Sequence, residues 1–230
     1  MPRVVKEENF AAKRKEILDV VRKLVYTKGY EAMSIQDILD EMKISKGAFY
    51  HYFDSKQSLL DGLVEQMLEE SDQVMSPILE AADLSAVEKM KQYFDAGSRW
   101  KIDQKPFILN LMRIWYDDSN ALIRHKHEAA FMKHFSPKLA KIIHQGIDEG
   151  VFSTRYPEQF ADTMLGLSRG LEGNIVGLLL ADHPPPDALE KLELVVGSYY
   201  ESLERILGAP SGSLWTGTMD ILREWISPSS

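Results

Sequence analysis

The sequence predicts an all-α protein with a small N-terminal unit of three helices and a larger C-terminal helical unit. Apolar residues recur three and four positions apart through most of the 230 residues, which is the spacing of one helix face. Beyond residue 77 no sustained alternation of apolar and polar residues indicates a strand. At 44% hydrophobic content the chain can bury the core of one or two domains.

The first helix is predicted over residues 11–28, followed by Gly29, which is placed to end it in a left-handed cap. The residues before Ala11 are polar and mixed in charge, which is typical of a mobile terminal arm. The helix is indicated by four apolar residues at helical spacing: Ile17, Val20, Val21 and Leu24.

The second helix has a clear start and a clear end. Ser34 and Asp37 form a capping box ahead of an apolar stripe. The helix should end at Met42, and Lys43 and Ile44 should form a tight turn. The stripe consists of Ile35, Ile38, Leu39 and Met42.

A third, short helix follows the turn, and Ser45 can cap it. Its inner face carries Phe49, Tyr52 and Phe53. Two short helices joined by a tight turn indicate a helix-turn-helix that reads DNA. The alternative is an ordinary three-helix domain whose aromatic residues are core. The outer face is unusual for a solvated helix and suits close contact with phosphates and bases: Lys46, Gly47, Tyr50 and His51.

These residues resemble the N-terminal domain of the TetR family of transcriptional regulators over roughly residues 10–65. Lys43 departs from the family, which usually has Gly in the turn, and Ala48 replaces a frequent Thr. The resemblance is carried by Gly29-Tyr30, Ser34-Ile35, the run from Ser45 to Phe53 and the run from Ser55 to Leu60.

The resemblance also implies roles for single residues. Ser34, Tyr50, Tyr52 and Lys56 would hold phosphates. The residues nearest the bases would be Gln36, Lys46, Gly47, Ala48, Tyr50 and His51. With the cap Ser45, these make up the predicted DNA-binding set.

The distribution of charge agrees with a DNA-binding N-terminus, although the whole chain carries a net charge of -8. Residues 1–56 contain 11 Lys and Arg against 9 Asp and Glu, a balance of +2. The remaining residues contain 16 against 26, a balance of -10. The excess of acidic residues therefore lies away from the proposed DNA face. This distribution favours a protein that binds specific DNA sites over one that covers DNA of any sequence.

The C-terminal part reads as helices almost throughout. A long helix is predicted over residues 55–75, ending before Pro77. This helix would connect the helix-turn-helix to the rest of the chain. We expect a DNA-binding domain at residues 1–56 and an effector-binding and dimerisation domain at residues 57–230. The later helices are predicted near 84–104, 106–116, up to about 149 with a bend near Pro137, 157–181, 186–207 and 214–226.

The helices at 157–181 and 186–207 are placed like the family's dimerisation helices, which form a four-helix bundle with the partner subunit. They carry more apolar residues than one packed face requires, and Gly166, Gly170 and Gly173 allow close helix approach. The alternative is that these residues are monomer core. A dimer is also expected because one short helix reads few bases, whereas two helix-turn-helix motifs related by a two-fold axis can span half-sites ~34 Å apart.

Aromatic and Met residues crowd three consecutive predicted helices, which suits an adaptable apolar pocket between helices, although most of them can be core. In the TetR family this domain binds a small-molecule inducer, so the resemblance implies an effector site here. The polar candidates Arg169 and Glu172 can instead pair with each other. The candidate ligand-binding residues are Phe94, Trp100, Phe107, Leu111, Trp115, Phe131, Phe135, Arg169 and Glu172.

Other kinds of site find little support. The chain has no cysteine, which excludes disulfides and thiolate metal sites. Of the histidines between residues 125 and 144, only His127 and His134 share a helix face, so no metal is predicted. We also expect no cofactor. With no signal segment and no run near the ~18 apolar residues of a membrane helix, we expect a cytoplasmic protein with no membrane partner.

The sequence therefore predicts a homodimeric regulator, most simply a repressor that binds a palindromic DNA operator and is released by an apolar or aromatic effector. Three alternatives stay open: an activator or ligand-independent regulator, an all-helical enzyme, and a helical protein that binds a metabolite without touching DNA. The enzyme is disfavoured because no Walker sequence, HExxH or Cys nucleophile is present.

Overall fold

The computed structural model describes residues 3–117, 120–181, 185–215 and 219–226. All regular structure in these ranges is helical, which confirms the predicted fold class. The helices are α1 (Arg3–Lys28), α2 (Ile35–Met42), α3 (Lys46–Tyr50), α4 (Lys56–Glu80), α5 (Ala86–Asp103), α6 (Lys105–Trp115), α7 (Ala121–Asp148), α8 (Pro157–Leu179), α9 (Ala188–Leu207) and α10 (Met219–Ile226).

The residues pack as two units. The first takes its residues from 1–70 and 106–127, and the second takes them from 71–105 and 128–230. This division follows packing alone. It does not test the functional boundary between residues 56 and 57, which stays a prediction.

The first unit has its core between α1, α2, α3, the first half of α4 and α6. The predicted stripe of α1 is buried at Ile17 and Val21, and α2 and α3 add Ile38 and Phe49. Burial of such side chains stabilises the fold by about 1.5–3 kcal/mol each. The other fully or nearly buried residues include Leu59, Leu60, Leu63, Phe107, Ile108 and Leu111.

The second unit is built around α5, the second half of α7, α8 and α9. Met90 of α5, Leu139 of α7 and Leu192 of α9 are fully buried. α10 packs against α5 and α9, and the buried Lys105 ammonium donates to the Glu224 carbonyl at 2.6 Å in its last turn. None of the helices described in either unit combines the length and apolarity that crossing a bilayer needs.

Two predicted helix boundaries are wrong. α1 begins at Arg3 rather than Ala11, because no Gly or Pro between these positions interrupts the helix. α4 continues through Pro77 to Glu80 instead of ending near Met75. Proline removes one N–H donor and crowds the carbonyl four residues before it. The end of α4 is nevertheless held, because the Leu79 carbonyl in its last turn accepts from the buried Lys89 ammonium at 2.9 Å.

The predicted start of the last helix is also wrong. α10 begins at Met219, whereas Leu214 lies in a turn segment and is buried. The backbone N–H groups of Gly212 and Leu214 donate to the Glu204 carboxylate, each at 2.8 Å. This carboxylate therefore holds an irregular segment that apolar periodicity alone reads as helix.

Candidate nucleic-acid interface

The start of α2 confirms the predicted capping box. The Asp37 backbone N–H donates to the Ser34 hydroxyl at 3.2 Å, and the Ser34 N–H donates to the Asp37 carboxylate at 2.9 Å. The Lys28 ammonium reaches the same carboxylate at 2.6 Å. The Lys28 hydrogen bond, followed by the Ser34 N–H, lowers the pKa of Asp37 from 3.8 to about 2.

The turn after α2 is as tight as the sequence predicts. Lys43 adopts the left-handed conformation at φ 53°, and the Ile44 N–H donates to the Leu39 carbonyl at 3.2 Å. The Ser45 hydroxyl then accepts from the Ala48 N–H at 3.2 Å and caps α3. The chain therefore leaves one helix and enters the next within three residues, as a helix-turn-helix requires.

Only one side of α3 is buried. Phe49 is 0% exposed and Phe53 is 2% exposed, and both rings belong to the core of the first unit. The Arg14 guanidinium lies 4.9 Å from the Phe53 ring centroid and covers it. The recognition helix is thus fixed from beneath by Phe49 and by Phe53 just beyond its end, and its opposite side is exposed.

The exposed side of α3 carries six of the predicted DNA-binding residues in one run: Ser45, Lys46, Gly47, Ala48, Tyr50 and His51. Tyr50 is 43% exposed, and the Lys46 ammonium lies 5.9 Å from its ring centroid. Lys46 forms no ion pair with any residue in the described ranges. A Cβ built on Gly47 would meet no atom within 4 Å, so this surface is open to a close partner.

Two of the remaining predicted residues already have partners in the free protein. Gln36 is exposed and donates to Asp40 at 2.7 Å. Ser34 is exposed, but its hydroxyl donates to the Asp37 carboxylate at 2.9 Å. A phosphate at this point would have to share Ser34 with a carboxylate. Both assignments stay predictions.

Lys56 opens α4 and is fixed to the turn after α1. Its ammonium lies 4.5 Å from the Tyr30 ring centroid and donates to the Glu31 carbonyl at 3.1 Å. The Tyr30 hydroxyl in turn donates to the Lys56 carbonyl at 2.9 Å, and burial raises the pKa of Tyr30 to about 12. The charge of Lys56 is therefore held in one place at the N-terminus of a helix, where an anion is favoured.

Phe10 is absent from the predicted DNA-binding set, yet its ring contacts the end of the recognition helix. Its ring stacks on Tyr52 with centroids 4.8 Å apart, and it meets the His51 ring edge-on at 5.6 Å. No periodic pattern links residues so far apart in sequence. The only available signal was an aromatic residue in a segment otherwise rich in charge.

Three of the predicted effector residues lie in the first unit. Phe107 and Leu111 are buried, and the Arg22 guanidinium lies 4.7 Å from the Phe107 ring centroid. Trp115 is half-buried and lies 5.3 Å from the His127 ring.

The other predicted effector residues lie in the second unit. Phe94 meets Tyr200 edge-on at 6.3 Å, and Phe131 and Phe135 lie 4.6 Å apart. Trp100 lines an open groove of ≈ 360 Å³ together with Val74, Ile78, Ala96 and Arg99. Arg169 and Glu172 are both exposed, and Arg169 pairs with Glu128 at 3.3 Å. The effector site stays a prediction.

The two histidines on one helix face have separate carboxylate partners. His127 Nε2 lies 2.9 Å from Asp61 Oδ1 in the first unit. His134 Nε2 lies 3.5 Å from Asp72 Oδ2 in the second unit, where Lys138 also contacts Asp72. Among the residues that the structure describes, no three His, Asp or Glu side chains are grouped to hold a metal ion.

Two family models match the chain. Residues 17–63 match bacterial regulatory proteins of the tetR family, and this segment contains the whole helix-turn-helix. Residues 113–175 match the tetracyclin repressor-like C-terminal domain. The two matches lie on either side of α5, in both the N-terminal and the C-terminal part of the chain.

Individual proteins that are similar in sequence to this chain are also transcriptional regulators. An HTH-type transcriptional regulator in the lacX 3' region of Lactococcus lactis subsp. lactis is 49% identical over 49 residues, which is 21% of this chain and 25% of that protein. The HTH-type transcriptional repressor KstR2 of Rhodococcus jostii is 35% identical over 60 residues, 26% of this chain and 29% of that protein. The match thus spans less than a third of either relative.

The fold is also found in solved structures. A TetR-family transcriptional regulator from Pectobacterium atrosepticum superposes with a TM-score of 0.66 at 21% identity, covering 91% of this chain and 100% of that one. At this identity the likeness concerns the fold alone. The proteins that this chain resembles are transcriptional regulators and not enzymes.

Proposed function

We propose that this chain, which belongs to the TetR family of transcriptional regulators, is a repressor that binds a palindromic DNA operator as a homodimer and is released by a small apolar or aromatic effector. That it is a DNA-binding regulator follows from its family. The sign of regulation, the shape of the operator and the release by an effector are the proposal.

The observation that carries the proposal is the exposed run from Ser45 to His51 above a buried aromatic base. Phe49 anchors α3 while Lys46, Tyr50 and His51 remain exposed. Lysine, tyrosine and histidine side chains can meet phosphates and base edges. The exposed Tyr50 ring and the Lys46 ammonium, which has no ion-pair partner among the described residues, are therefore available to a DNA groove.

A dimer is needed because α3 spans only five residues, Lys46–Tyr50, and can read few bases. α8 and α9 pack on each other and still expose apolar side chains, with Leu167 at 38% and Leu194 at 67%. A Cβ built on any of four α8 glycines would meet no atom within 4 Å, which leaves room for a second helix pair: Gly166, Gly170, Gly173 and Gly177. Homodimers are typical of the family.

The proposed switch is a shift between two conformations. α4 runs without a break from Lys56 to Glu80, so a tilt of its far end would move the recognition helix. An effector that binds one conformation better would shift the population by its difference in affinity. Within the second unit, aromatic residues of α5 and α7 support an apolar or aromatic effector, among them Phe94, Trp100, Phe131 and Phe135, and effector binding is typical of the family.

The first test is the selection of bound duplexes from a random DNA pool by the purified protein. We expect a palindromic consensus, and the Tyr50→Ala protein should bind it at least about tenfold more weakly. Tyr156→Ala is the matched control, since Tyr156 is 62% exposed and lies in the second unit. Failure to select any consensus would overturn the proposal.

Three further measurements test separate parts of the proposal, namely the phosphate contact, the dimer and the release by an effector. Lys46→Ala should lower the slope of log K against log salt by about 1 if Lys46 meets a phosphate. Leu194→Glu should shift the mass measured by light scattering from dimer to monomer, whereas Tyr26→Glu, which changes an exposed α1 residue, should not.

Apolar and aromatic compounds that stabilise the protein in a thermal scan are then tested for operator release. Compounds that tighten binding instead would contradict repression by release.

A further inference from the structure

Phe10 of α1 and two residues at the end of α3 form a group of three rings, which we name the Phe10–His51–Tyr52 cluster. The Phe10 and Tyr52 rings stack with centroids 4.8 Å apart and planes at 30°. Phe10 meets His51 at 5.6 Å and 86°, and His51 meets Tyr52 at 5.1 Å and 79°. Each ring therefore contacts the other two, in the stacked and edge-on geometries that aromatic pairs prefer.

The core of the first unit does not account for this cluster. Phe10 is 38% exposed, so much of its ring contributes no burial. The base of the recognition helix is instead filled by Phe49 and Phe53, which are 0% and 2% exposed. What Phe10 does contact are His51 and Tyr52, two residues of the predicted DNA-binding set.

The position of these two residues explains why a support is useful. His51 is the last residue associated with α3, and Tyr52 lies just beyond the helix. His51 is exposed and Tyr52 is half-buried. Side chains at such a point can turn between rotamers, and fixing them only when a partner binds costs affinity. A ring packed against both fixes them when the protein folds.

We infer that Phe10 is a positioning residue for DNA recognition, which holds the His51 and Tyr52 rings in the orientation that DNA meets. The inference rests on the proposed function, in which Tyr52 contacts a phosphate and His51 lies near the bases. In this arrangement the phenyl ring acts on DNA through its two neighbours.

The test compares Phe10→Leu, which keeps apolar volume without a ring, with Phe10→Tyr, which keeps the ring. Binding is measured to the consensus duplex that the wild-type protein selects. We expect Phe10→Leu to weaken binding about two- to tenfold, as loss of aromatic pairs predicts, and Phe10→Tyr to restore it. The salt slope should not change, because no cation is removed. Tyr26→Leu, at an exposed aromatic residue of the same helix, should leave affinity unchanged.

A double-mutant cycle distinguishes positioning from direct contact. In a His51→Ala/Tyr52→Leu background, Phe10→Leu should change affinity by less than about twofold, because its partners are gone. Losses that simply add would overturn the inference, since Phe10 would then act independently of the two rings. All affinities are measured well below the thermal midpoint of each variant, so a purely structural role would appear as a lower midpoint with unchanged affinity, which would also overturn it.

The contact itself can be tested without DNA. Ring currents from Phe10 should shift the Tyr52 ring protons in the NMR spectrum of the free protein, and Phe10→Leu should remove that shift. Unchanged Tyr52 signals would overturn the inference. A wild-type protein that selects no duplex would overturn the proposed function and this role with it, whereas a selected consensus bound equally well by Phe10→Leu would overturn this role alone.

Discussion

The Lys28 ammonium lies 2.6 Å from the Asp37 carboxylate, which ties the last turn of α1 to the first turn of α2. The same carboxylate accepts the Ser34 N–H that begins α2. One side chain thus fixes both the start of the helix-turn-helix and its attachment to the supporting helix. Because both contacts favour the charged carboxylate, they make this junction sensitive to acid.

The pKa of Asp37 is lowered from 3.8 to about 2 in the folded protein, chiefly by the Lys28 hydrogen bond. A lowered pKa contributes stability that is present above 3.8 and is lost as the pH falls towards about 2. We expect Asp37→Asn to be less stable than the wild type at neutral pH and to lose less stability across this interval. Urea unfolding at a series of pH values measures both effects.

The control for this prediction is Lys28→Gln. It removes the ammonium and keeps the carboxylate, so an NMR titration should find the pKa of Asp37 moved back towards 3.8. A wild-type Asp37 that already titrates at its ordinary value would contradict the prediction.

Lys43 occupies a left-handed backbone conformation at φ 53°, where glycine is the residue without a steric cost. We expect Lys43→Gly to be more stable than Lys43→Ala by about 1 kcal/mol, since both remove the charge and only glycine relieves the Cβ contact. Chemical denaturation of the two variants measures the difference. Equal stabilities would show that the turn carries no such strain.

The helix-turn-helix could be predicted in detail because its determinants are local. The capping box of Ser34 and Asp37, the strained Lys43 and the cap at Ser45 each act within three or four residues, so their spacing is visible in the sequence. Of the residues predicted for the inner face of the third helix, Phe49 lies in α3 and is buried. Tyr52 and Phe53 lie beyond the end of α3 at Tyr50, where Phe53 is buried and Tyr52 is half-buried. The family models match the chain over this segment as well.

What could not be predicted depends on contacts between distant residues. Phe10 is placed by Tyr52, and the Glu204 carboxylate holds the turn near Leu214. Pro77 lies within α4, although proline usually marks a helix end. In each case a partner that is remote in sequence, or a helix that tolerates one missing donor, outweighs the local signal.

Gly146 leaves room for the Phe152 ring. A Cβ at this position would lie 2.0 Å from Phe152 Cδ2 and 2.5 Å from Phe152 Cε2, and Phe152 is only 3% exposed. We expect Gly146→Ala to lower the free energy of unfolding by about 1–3 kcal/mol, even though alanine favours helices. Phe152→Leu should cost less in the Gly146→Ala protein than in the wild type. Additive losses in this double-mutant cycle would contradict the proposed overlap.

Glu204 is 5% exposed and accepts the N–H groups of Gly212 and Leu214, each at 2.8 Å. Glu204→Gln keeps the size of the side chain but replaces one acceptor oxygen with an NH₂ group, which would face a backbone donor. We expect a loss of about 1–3 kcal/mol in the free energy of unfolding, the cost of a buried donor without an acceptor. Hydrogen exchange of the Gly212 and Leu214 amides should accelerate together with this loss.

Glu201→Gln is the control on the same helix, because Glu201 is exposed and pairs only with Arg205 one turn away among the described residues. The free energy of unfolding of this variant should fall by less than about 0.5 kcal/mol. Unchanged amide exchange in Glu204→Gln would show that the turn before α10 is held by its apolar contacts alone.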